Sequence, residues 1–237
     1  MLSLFTLNRG VIYDNSQFRN NPVDFGTVSF HETLHLKGSF SVEVSENEGE
    51  IHQAPYREGV SVRALQKHGL YGDYPHHFFG LHEAIISYQQ KKSFSKLMDL
   101  GIFKKEKERL ESEESRALME EVAIKNNIPA DEVFWVDDRG EYEIFSYLEN
   151  RRVLEYVCSE IAKEFSDQYS DEGAVFAEFL CSHFTGRLLK IARLVEKTFG
   201  KGSFRLLGNM TTEEGSGNTH LEAMRKARYR ESSDSTK

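Results

Sequence analysis

Between residues 28 and 44 every even position except 32 and 38 is apolar: Val28, Phe30, Leu34, Leu36, Phe40, Val42 and Val44. The odd positions are polar, among them Ser29, His31, Thr33, His35, Lys37, Ser39, Ser41 and Glu43. A repeat of two puts alternate side chains on opposite faces of extended chain, so the spacing predicts a half-buried β-strand. Wound as a helix, the same apolar residues would spread round the whole circumference. An unbroken strand of this length is rare, and a bend is expected at Glu32 or Gly38.

That assignment has a chemical consequence. The stretch contains His31-Glu32-Thr33-Leu34-His35, a match to the zincin pattern H-E-x-x-H, whose histidines converge on one ion only from a single helix face. In a strand four residues span roughly 13 Å, whereas two nitrogens on one zinc lie about 3 Å apart. The alternation therefore sets the motif aside. No metal and no cofactor are expected.

With 237 residues the chain can bury one large core or two modest ones, and 39% hydrophobic residues suffice for a packed globule. A net charge of −8 disfavours nonspecific binding of nucleic acid or anionic membrane by the surface as a whole. No apolar run approaches the ~20 residues of a membrane span, and residues 1–7 lack the basic start of a signal peptide. Cys158 and Cys181 each fall in an apolar helical pattern and read as buried reduced thiols, which suits a cytoplasmic protein.

The fold class expected is α+β: a β-rich first third of antiparallel hairpins, then a mainly helical region with one inserted hairpin. Residues 2–7 and 11–13 read as a hairpin, and a return strand is expected near Ile51 after an acidic turn. From about Phe79 the period moves towards 3.6, giving helices over 79–88 and 94–100, the second capped by Ser93. A charged helix is expected over 104–126, and a hairpin over 133–136 and 141–145. Two helices follow over 151–165 and 174–199, the latter as central core helix, and then a strand over 203–207. The domain layout is a β-rich part over 1–78, a helical part over 79–208 and a polar flexible tail over 209–237.

Chemistry-bearing residues are densest over 67–83, which holds His68, His76, His77 and His82 with Asp73 and Glu83. Loops on a rigid scaffold often carry sites, and histidine titrates near neutrality and ligates transition metals, so a metal or general acid–base site is weighed there. Arg63 to His68 matches R-x₄-H, which resembles the ribonuclease motif of HEPN domains. Those are helical bundles with a polar residue after the Arg, whereas here the motif precedes the helical region and continues with Ala64. Membership is not assigned. Asp137, Asp138, Glu141 and Glu143 could grip a divalent cation, but an exposed acidic turn explains them more simply.

Arg187, Lys190, Arg193 and Lys197 form a basic stripe that could meet nucleic acid or phosphate. Arg225, Lys226, Arg228 and Arg230, in and next to a possible short helix over 219–229, could dock a partner from the tail. With the helical zinc motif set aside, the expected role is an intracellular protein-binding or assembly module, or subunit of a complex. The alternative is a nuclease or other phosphoester-acting enzyme using Arg63, His68, His76, His77 and His82. A protein partner or homo-oligomer is expected, and no membrane.

Overall fold

A computed structural model describes residues 21–47, 50–63 and 76–234. The fold is α+β and helix-rich, with a small antiparallel sheet early and a two-stranded hairpin later. The described residues divide into two compact units, each built from two stretches of chain: those within 21–36 and 86–148, and those within 37–85 and 149–234. The hairpin expected at 2–7 and 11–13 lies outside the described residues, as do His68 and Asp73.

The first correction concerns the alternating stretch. Pro22–Lys37 is an α-helix, α1, and extended chain begins only at Phe40. Its start follows helix chemistry: Asn21 Oδ1 accepts the Asp24 N–H at 2.9 Å, and Pro22 occupies the first turn, where no amide donor is needed. Gly38 follows its last residue. The buried side chains of α1 are Val23, Thr27, His31 and Leu34, a stripe at helical spacing. Half of that stripe is polar, so a count of apolar residues does not detect it.

In the first unit α1 is joined by the C-terminal part of α2 (Phe79–Met98), α3 (Lys104–Leu110) and α4 (Glu113–Asn126). The hairpin of β5 (Val133–Val136) and β6 (Tyr142–Ile144), expected from the sequence, completes it. Val23, Met98, Phe103, Leu110, Phe134, Trp135 and Phe145 make one buried core. Phe94, Phe134 and Phe145 meet with ring centroids 4.9–5.5 Å apart. Burying each large apolar side chain contributes roughly 1.5–3 kcal/mol. A Cβ on Gly26 would stand 2.5 Å from Phe103 Cζ, so this close approach of α1 requires glycine. The two helices expected at 79–88 and 94–100 are one: Ser93 lies inside α2 and receives the Gln89 side chain instead of capping. The single charged helix expected over 104–126 is broken at Ser112, whose hydroxyl caps α4.

The second unit holds a sheet of order β1-β2-β3-β4: Phe40–Asn47, Glu50–Glu58, Ser61–Arg63 and His76–His77. Its helices are α5 (Leu148–Glu164, from Glu149 onward), α6 (Glu172–Thr185), α7 (Leu189–Phe199), α8 (Ser203–Gly208) and α9 (Ser216–Asp234). The core helix expected over 174–199 is two helices, parted at Gly186 with φ +70°. The strand expected at 203–207 is α8. The short helix weighed over 219–229 falls within α9, which buries Met224 fully. Arg228 donates to Glu160, Glu164 and the Thr198 carbonyl. Cys158 is buried as expected, whereas Cys181 is exposed, because it lies on the outer side of α6.

Candidate metal centre

On a helix, His31 and His35 are one turn apart and share a face. Their Nε2 atoms stand 3.2 Å apart and their ring centroids 4.9 Å. Two nitrogens bound tetrahedrally to one zinc at about 2.0–2.1 Å would be roughly 3.3 Å apart. The pair thus has the spacing that the strand assignment denied it. Glu32 lies between them in sequence and is half-buried.

The orientation of His31 follows from Gln90, itself buried on α2. Gln90 Nε2 donates to the Thr27 carbonyl at 2.9 Å, which leaves its Oε1 as the acceptor facing His31 Nδ1 at 3.2 Å. An acceptor there places the imidazole proton on Nδ1, so the Nε2 lone pair faces His35. Tyr147 stands behind the pair, its ring centroid 6.3 Å from that of His31. Its φ of +56° is a costly conformation for an aromatic residue, and such strain concentrates at functional sites.

Within the first unit α1 and α2 run antiparallel. Val23 shares a core with Met98, while Thr27 and His31 meet Gln90. Eight residues forward on α1 therefore match eight residues back on α2. Further back on α2, Ser87 and Glu83 precede Gln90 by three and seven residues and lie on the same helix face. Glu83 is a buried carboxylate, 4% exposed.

Of the histidines singled out from the sequence, His76 and His77 share β4 and His82 lies on α2. Arg63 and His76 are cross-strand partners on β3 and β4, and His77 pairs with Val62. His76 and His77 are exposed. Burial and then the Arg63 guanidinium hold the His76 imidazole below its ordinary pKa, against a smaller opposing effect of Glu58. His82 lies on α2, buried, its ring 5.1 Å from that of the buried His183. The Glu58 carboxylate and a His82 ring nitrogen lie within 4.8 Å of each other. Gly59, at φ +55°, passes so close that a Cβ would sit 2.3 Å from His183 Nδ1. Thr27, Glu58, Gln90 and His183 carry no local motif and were not legible as site residues.

The acidic hairpin is structural: Asp137 Oδ1 accepts the Arg139 and Glu141 amides and closes the turn. Of the tail cations, Arg225, Lys226 and Arg230 are exposed, and Arg225 stands over the Tyr156 ring at 5.7 Å. Arg228 is committed to the ion pairs of α9. Among the described residues no helix is long and apolar enough to cross a membrane. Comparison of the chain with protein-family models, with curated proteins and with solved structures finds no match to any.

Proposed function

We propose that this protein is a zinc-dependent hydrolase of peptide bonds, with His31 and His35 as ligands and Glu32 as general base. The observation that carries the reading is the 3.2 Å separation of the two Nε2 atoms on one turn of helix. Two neutral imidazoles on one helical turn are the pair of ligands that H-E-x-x-H supplies to a catalytic zinc, which takes one further protein ligand and a water.

Zinc in such a site acidifies its water and polarises a carbonyl. With zinc held there, the Glu32 carboxylate would take a proton from the attacking water and return it to the departing nitrogen as the C–N bond breaks. Gln90 keeps His31 in the tautomer that the ligand role requires. The assembly role was expected from the want of a catalytic motif. Of the residues weighed for a nuclease, Arg63 and His76 are cross-strand neighbours, His77 follows on the same strand, His82 lies on α2, and His68 lies outside the described residues.

The test is Glu32→Gln, assayed on a quenched-fluorescence peptide library with the zinc-loaded protein. Expected is loss of cleavage by about 10²-fold or more with zinc content unchanged. Cleavage at the wild-type rate by Glu32→Gln would overturn the assignment, as would a wild type that cleaves nothing in the library.

A further inference from the structure

The second unit carries a cavity of about 420 Å³ whose lining includes Arg187, Lys190, Arg193 and Lys197, with Phe165 and Leu189. We infer that this groove is a binding site for a nucleoside diphosphate or a ligand of the same chemistry, with the phosphates on the cations and the ring against Phe165 and Leu189. It is independent of the zinc reading.

The cations share one side because Lys190, Arg193 and Lys197 fall at helical spacing along α7, with Arg187 just before it. The opposite face of α7 is the core face, with Ile191, Val195 and Phe199 buried. In a chain of net charge −8, four bases on one small cavity are a local reversal of sign. Glu160, Glu164 and Glu196 are turned elsewhere, whereas Glu178 pairs with Lys190. Glu196 accepts the Gly202 and Phe204 amides, at 2.6 and 2.8 Å. Glu160 and Glu164 receive Arg228. Among the described residues the ion pair found at the groove is Lys190 with Glu178.

The shape then selects among anions. Leu189 is 62% exposed, so an apolar surface lies open beside the charges. Inorganic phosphate would use the cations alone, whereas a nucleotide uses both and fits a cavity of this size. Guanidinium groups bind phosphate oxygens in bidentate fashion, which makes Arg187 and Arg193 the principal contacts.

The experiment is calorimetric titration of the full chain with ADP, with pyrophosphate and a ten-nucleotide single strand as comparison probes. Expected is one saturable site for ADP, weakened about tenfold or more by Arg193→Glu. Leu189→Ser should weaken ADP but leave pyrophosphate unchanged; both residues are exposed, so folding is not at stake. The proposal is overturned by no saturable ADP binding, by binding indifferent to Arg193→Glu, or by pyrophosphate binding as tightly as ADP. A strand that binds while ADP does not would also overturn it.

Discussion

Replacing Gln90 by Leu keeps nearly the same volume and removes the amide that joins α2 to α1. The amide serves two partners, the Thr27 carbonyl at 2.9 Å and His31 Nδ1 at 3.2 Å, in a position only 6% exposed. Loss of a partner costs a buried polar group about 1–3 kcal/mol, so the two together cost about 2–6 kcal/mol. For a chain of this length that corresponds to a fall in Tm of about 4–24 °C, read on metal-free protein to separate folding from ligation. Zinc affinity is the second readout. Groups that orient a ligating imidazole are worth about 10–100-fold in metal binding, and chelator competition against wild type measures it. Gln90→Glu keeps an acceptor for His31 but loses the donor to Thr27, so it should lower Tm while holding zinc affinity. If Gln90→Leu melts lower yet binds zinc within about twofold of wild type, the orientation of His31 does not depend on Gln90 and the reasoning fails.

Two smaller predictions follow from titratable groups. Burial first, then Asp24 and Glu141, hold the Glu143 carboxyl above its ordinary range. A raised folded value means stability that is present below the ordinary carboxylate pKa and is lost as pH rises through the folded one. Glu143→Gln should therefore raise Tm at pH 7 and leave it unchanged at pH 4; an equal gain at both would contradict the cause assigned. Cys181 is exposed, while burial pushes the Cys158 thiol well up. A thiol reagent should titrate one cysteine in native protein and two in denaturant, and two fast native thiols would refute the placement of α5.

The late hairpin was legible because Val133 to Val136 and the Asp137 to Gly140 turn satisfy strand and turn chemistry locally. The return strand after residue 49 was legible for the same reason. Helix α1 was misread although its start signal, Asn21-Pro22 followed by Asp24, stood in the sequence. Period two dominated because the true buried stripe includes Thr27 and His31, held by polar contacts that no hydropathy pattern registers. The breaks at Ser112 and Gly186 were hidden by helix-forming residues on both sides. At the candidate site the H-E-x-x-H motif was visible and its backbone was wrong. Gln90 could not be found, since its tie to His31 joins residues 59 apart in sequence.

Whether one helical turn of this chain ligates zinc is settled most directly by metal analysis of the purified protein beside His35→Ala. The account predicts one zinc per wild-type chain, and loss of that zinc in the variant with the helical circular dichroism kept. A wild type that takes up no zinc from a saturating solution, or a His35→Ala protein that retains it, would contradict it.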